Sequence, residues 1–151
     1  MAELSTSTKD PLIAAFFTIE MQGAVQGVFK SLENVGSENE LTEYKASGPK
    51  GEQVVKYQPG LLKWNAVTLK QGVTDDLFFW KWRELVEKGD MQEARKNGSF
   101  VMINIKGEEA ARWDFQNAWP RSIKGPGGDA GSSEVAIEEL EIVCEGYKRV
   151  K

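Results

Sequence analysis

The hydrophobic and polar positions of the chain change period once, and the rest of the sequence is arranged around that change. From Leu62 to Lys70 apolar and polar residues roughly alternate, with Trp64, Ala66 and Thr68 on one face and Asn65, Val67 and Leu69 on the other, the period of a strand. Beyond Gly72 the spacing becomes helical: Phe78, Phe79, Trp82, Leu85 and Val86 form one apolar stripe, with Lys81, Glu84 and Lys88 outside it. Thr74 as N-cap, Asp75 and Asp76 in a first turn and Gly89 as terminator predict a helix over 74–88. Five large apolar side chains are worth on the order of 10 kcal/mol when buried, so this helix must lie on a sheet or a partner. Leu77 and Trp80 fall off the stripe, which leaves a second apolar side for a neighbouring copy to cover.

The remaining pattern is that of strands. Phe16 to Met21 alternates, Gln22-Gly23 turns the chain, and Val25 to Ser31 returns. Leu41 and Tyr44 stand among the carboxylates of Glu38 to Glu43, a strand with one solvated face; nothing there fixes a metal-ligand geometry. Residues 45–60 (KASGPKGEQVVKYQPG) read as a protruding loop or hairpin carrying Val54, Val55 and Tyr57, without the spacing of a phosphate loop. Asn97-Gly98 signals a turn before a dense strand from Ser99 to Ile105, and Ala111 to Gln116 alternates strictly, with Trp113 and Phe115 inward. Asn117 to Pro120 is expected to end that pairing, because proline donates nothing to a ladder. In the last strand, Glu134 to Gly146, Val135 and Ile137 share one parity and Leu140, Ile142 and Cys144 the other, which predicts a β-bulge between Glu138 and Glu139. Cys144 then continues the apolar face as a buried structural thiol.

The expectation is one domain over 1–151: mainly β, with seven or eight strands and one helix, in two packed antiparallel sheets or a small β-barrel. Residues 1–12 are expected as an N-terminal arm, either flexible or ordered by a neighbour, and the core is expected to comprise Phe78, Phe79, Trp82, Leu85, Trp113, Phe115, Ile137, Leu140 and Ile142. Composition narrows function by exclusion. The chain has no histidine, which removes Ser-His-Asp and Cys-His catalysis and the commonest metal ligand. Asp75 and Asp76 are accounted for by the helix dipole rather than as an acid–base pair, so neither catalytic group, metal nor cofactor is expected. A net charge of −4 without like-charge blocks speaks against a nucleic-acid surface. The longest apolar run, Ile13 to Phe17, is too short to cross a membrane, and the start lacks the plan of a signal peptide, so cytoplasmic synthesis and assembly is the expectation.

Three blocks, TLKQGVTDDLFFWKW (Thr68 to Trp82), FQNAWPRSIKGP (Phe115 to Pro126) and EVAIEELEIVCEG (Glu134 to Gly146), together resemble the tail tube proteins of contractile phages and phage-tail-like contractile injection systems. The weaker ENELTEYKASG and KYQPG extend the resemblance over most of Phe16 to Gly146; the Val35-Gly36 region lacks the expected Gly-Leu pair. The resemblance implies a fold similar to the haemolysin-coregulated protein of type VI secretion and homo-hexameric rings stacked into a hollow inner tube. It further implies a surrounding contractile sheath, baseplate or hub and tube-terminating partners, and lumenal cargo, effector or DNA. On that reading Leu77 and Trp80 are candidates for contacts within a ring, and Lys50, Val54, Val55, Lys56 and Tyr57 for contacts between rings. The alternative is a tryptophan-rich β-sandwich that binds a ligand in a groove lined by Trp64, Trp80, Trp82, Trp113 and Trp119.

Overall fold

A computed structural model describes residues 10–127, 130–131 and 136–151. Among the described residues ten strands and two helices, where the pattern predicts seven or eight strands and one helix, follow one another as β1 (Phe16–Met21), β2 (Ala24–Phe29), β3 (Ser31–Glu33), β4 (Ser37–Ser47), β5 (Gln53–Trp64), β6 (Val67–Gly72), α1 (Phe78–Glu87), α2 (Met91–Ala94), β7 (Lys96–Ile103), β8 (Glu109–Lys124), β9 (Ile137–Val143) and β10 (Gly146–Arg149). One antiparallel sheet has the order β2-β1-β7-β8-β9-β6-β3, with β10 also on β8; β4 and β5 form a separate two-stranded ribbon. The class is mainly β, as the pattern predicts. The sheet is not a closed barrel: its two ends, β2 and β3, are consecutive in the chain, bend at Lys30 and pair only with β1 and β6 respectively.

The β1–β2 turn follows its sequence signal, since Gln22 and Gly23 both adopt positive φ (56° and 76°), the geometry of a two-residue hairpin. Other elements depart from expectation for identifiable reasons. The helix begins at Phe78, not Thr74. Thr74 Oγ1 accepts from the Asp76 N–H (3.3 Å) and Asp76 Oδ1 from the Phe78 N–H (2.9 Å), so these side chains satisfy the backbone in consecutive turns that compete with a helix, and neither aspartate lies in its first turn. Gly89 does end it, at φ 80° with its N–H on the Val86 carbonyl. The strand over Leu62 to Lys70 is broken at Asn65-Ala66 into β5 and β6.

Asn97-Gly98 is not a turn but lies inside β7, at a bulge opposite β8, where Asn97 Oδ1 accepts from the Asn117 N–H (2.9 Å). A Cβ at Gly98 would collide with the Glu20 carbonyl and the Phe115 ring, which is why the strand carries glycine there. Nor does β8 stop at Asn117-Pro120. Asn117 (φ 50°) kinks the strand, which leaves β7 at Ala118 and pairs with β9 from Trp119 to Lys124. Pro120 is tolerated because that half of β8 is paired on one side only.

One cluster forms the core, built on Ile19, Phe29, Leu69, Phe79, Trp82, Phe100, Phe115, Leu140 and Ile142, all 3% exposed or less. Phe78, Leu85 and Trp113 are half-buried and pack against it. Ile137 does not join it, and no bulge separates Glu138 from Glu139: β9 pairs with β6 in unbroken register, and Glu138, Leu140 and Ile142 share the inward face. The apolar Ile137 is on the other face, while the inward position is held by a carboxylate at 4% exposure, made tolerable by Gln71 Nε2 (2.7 Å) and Trp80 Nε1 (3.1 Å), which donate to its two oxygens. Val135 lies outside the described residues. Cys144 is half-buried rather than buried; its thiol donates to the Gly146 carbonyl, and burial pushes its pKa up.

Candidate assembly surfaces

The ribbon is the feature that the rest of the fold leaves unexplained. Of the two readings of residues 45–60, loop or hairpin, the hairpin holds: they are the outer part of one reaching from Ser37 to Trp64, with Pro59 and Gly60 inside β5. A bulge sets Glu40 against Gly60 and Leu61, and a side chain at Gly60 would meet the Glu40 carbonyl oxygen at 2.8 Å. Opposed residues share a face, so register decides the chemistry of each side. Leu41, Glu43 and Lys45 stand beside Pro59, Tyr57 and Val55, with Leu62 and Trp64 continuing that face toward the body. The opposite face carries Thr42, Tyr44 and Ala46 beside Gln58, Lys56 and Val54. One side is therefore rich in large apolar groups and exposed: Leu41 is 70% and Tyr57 61% accessible, with Val55 and Leu62 also exposed. Two-stranded ribbons are marginal in water on their own, so such a face needs a cover.

The hairpin places Val55 and Tyr57 together, and puts Val54 and Lys56 on the reverse side. Lys50 sits at the tip, where its N–H donates to the Glu52 carboxylate (3.0 Å). Among the described residues neither Lys50 nor Lys56 forms an ion pair within the subunit. The sequence reading leaves Leu41 in a separate acidic strand and Leu62 at the start of the next one; the register sets both on the face of Val55 and Tyr57.

A second exposed apolar area lies along the edge strand β2 and the approach to α1. Val25 and Val28 on β2, Val73 before the helix, and Leu77 are about half exposed. Trp80 is partly covered because its indole is spent on Glu138, so Leu77 is the freer of the two predicted ring contacts. A small pocket of about 340 Å³ separates β2 from this approach, with Phe79 and Gly27 among its walls. β2 and β3 each pair on one side only, leaving edges that natural sheets cover.

One wide-open cleft of about 770 Å³ holds Arg95, Lys96, Ser99, Asp114 and Gln116, and there Ser99 Oγ donates to Asp114 Oδ1 (2.6 Å). No group of acidic or cysteine side chains that would hold a metal occurs among the described residues. Near the C-terminus Arg112 bridges Glu20 (2.8 Å) and Glu109 (2.6 Å); its hydrogen bond holds the Glu109 carboxyl below the usual range, and Arg112 is raised in turn. The tryptophans do not line one groove, because Trp82 is buried beneath α1 with its indole N–H on the Ala94 carbonyl (2.6 Å) and Trp64 stands at the base of the hairpin. No helix of the described residues is long and apolar enough to cross a membrane.

Residues 14–148 match the family model described as T4-like virus tail tube protein gp19. No curated protein sequence matches the chain. Among solved structures it is similar to a chain of the anti-feeding prophage tube-terminating cap (20% identity, 96% of this chain and 94% of that one, TM-score 0.73). It is also similar to a chain of the sheath–tube complex of an extracellular contractile injection system (21%, 97% and 98%, 0.66). A third likeness is to Hcp1 from Flavobacterium johnsoniae (14%, 89% and 94%, 0.53). At these identities the structural likenesses establish a shared fold.

Proposed function

The chain belongs to the T4-like virus tail tube protein family, and from that premise we propose that it is the repeating wall subunit of an inner tube in a phage tail or phage-tail-like particle. Copies join into hexameric rings through the β2 edge and the approach to α1, with Leu77 and Trp80 at the contact. Rings then stack through the hairpin, whose apolar face supplies most of the affinity while Lys50 at its tip sets register against carboxylates of the next ring; Lys56, on the reverse face, has no part in that contact. Exposed ion pairs are worth about 0 to 1 kcal/mol each, whereas an aromatic or leucine side chain contributes about 1.5 to 3 kcal/mol when covered. The observation that carries this reading is the hairpin's uncovered face, with Leu41 and Tyr57 more than half exposed.

A contractile sheath, a baseplate and a terminating cap complete the particle on this proposal, consistent with the assemblies from which the similar structures come. The tube acts as a passive conduit for cargo, and any toxic or enzymatic activity belongs to the cargo. Light scattering after size exclusion tests assembly: six times the 16.8 kDa chain mass, or multiples of that ring mass, is expected. A monomer at every concentration would overturn the proposal.

A further inference from the structure

The hairpin leaves the body through two irregular joints, residues 34–36 and 65–66. Asn34 sits at φ 72°, and the Asn65 N–H donates to the Gly36 carbonyl (3.0 Å), closing the ribbon at its base. Beyond that point β4 and β5 pair only with each other. Such an arm has no direction of its own. A residue from the far end of the chain touches its foot: Tyr147, in β10, donates its hydroxyl to the Asn65 carbonyl at 2.7 Å. Its ring meets Trp64 edge to face, with centroids 5.8 Å apart at 74°.

The restraint does not stop at Tyr147. Its ring also lies 6.3 Å from that of Phe100, which in turn packs on Phe115 at 4.7 Å, and both phenylalanines are fully buried. β10 is held to β8 with Tyr147 opposite Phe115, so a row of aromatic rings runs from the core to the foot of the arm. Burial pushes the Tyr147 phenol above its ordinary range.

We propose that Tyr147 is a positioning residue for assembly: by holding the Asn65 carbonyl and the Trp64 ring, it aims the hairpin at the neighbouring copy. The inference rests on the reading of the hairpin as the contact between rings. Orientation matters there because an arm that samples several directions loses affinity by the fraction of time spent misaimed.

Tyr147→Phe tests it, since the ring stays and only the hydroxyl leaves. Expected are an unchanged melting temperature within a few degrees, rings in normal yield, few and short tubes, and amide exchange about fivefold faster at residues 34–37 and 64–67 but unchanged in β7 and β8. Trp64→Leu, which keeps the hydroxyl bond and removes the ring contact, should shift the same amides and serves as the test if Tyr147→Phe fails to fold. Unchanged exchange at the joints overturns the proposal. So does faster exchange with tubes of normal length, and so does loss of tubes without faster exchange. A wild-type chain that forms rings but never tubes overturns the reading of the hairpin itself, and exchange at the joints then judges the Tyr147 clamp alone.

Discussion

Replacing Leu41, Val55 and Tyr57 with serine is expected to leave rings intact and to abolish stacked tubes. The three side chains occupy one face of the hairpin and are largely exposed, so the subunit itself loses only cross-strand pairing, roughly 1 kcal/mol in all. In a stack the same residues are covered, and deleting them removes about 1.5 to 3 kcal/mol per large side chain at every subunit of every ring contact. Because six hairpins act together in the proposed hexamer, even a modest loss per hairpin becomes a factor of many powers of ten in ring–ring affinity. Val54→Ser is the matched control. Val54 is on the reverse face beside Ala46, and its substitution should leave tube length within twofold of wild type by electron microscopy. Normal tubes from the triple variant would remove the hairpin's apolar face from the interface.

The second large effect belongs to the core. Trp82→Ala should destabilise the subunit by about 3 to 5 kcal/mol, a large share of the net stability of a domain this size. Trp82 is 2% exposed, touches Phe78 and Phe79 along α1, and caps the Ala94 carbonyl through its indole N–H. Removing it leaves a cavity beneath α1 and a buried carbonyl without its donor. Denaturant unfolding of the dissociated subunit checks the magnitude, and a loss below about 1 kcal/mol would mean that α1 is not anchored as described.

Elements whose own periodicity or turn chemistry decides their structure were legible in the sequence. The strand from Phe16 to Met21, the turn at Gln22-Gly23, the apolar stripe from Phe79 to Val86 and the stop at Gly89 each follow from residues within a few positions. The misreadings occur where side-chain hydrogen bonds, local ones at Thr74 to Phe78 and distant ones elsewhere, settle the matter. Asp75 and Asp76 suit a first helical turn, yet side-chain acceptors from Thr74 and Asp76 hold that backbone in turns. Glu138 faces inward because Gln71 and Trp80, each more than 50 residues away, satisfy its carboxylate, so an apolar parity rule places Ile137 there instead. Likewise Asn97 and Asn117 accommodate each other across two strands, and neither ends its strand as its local signal suggests.

The hairpin's apolar face was half visible because its register is not local. Val55 and Tyr57 stood out as apolar residues in a polar stretch, but grouping them with Val54 and Lys56 ignored the alternation of a strand. Only the pairing of β4 with β5 adds Leu41, Pro59 and Leu62 to their face. The Tyr147 contact at Asn65 spans 82 residues and had no local signature at all.

Cryo-electron microscopy of the purified protein, assembled without partners, tests the central claim most directly. The account predicts stacked six-membered rings in which Leu41, Val55 and Tyr57 of each hairpin are covered by a subunit of the next ring, and Leu77 by a subunit of the same ring. Monomers only, or tubes in which the hairpin's apolar face remains in solvent, would contradict it.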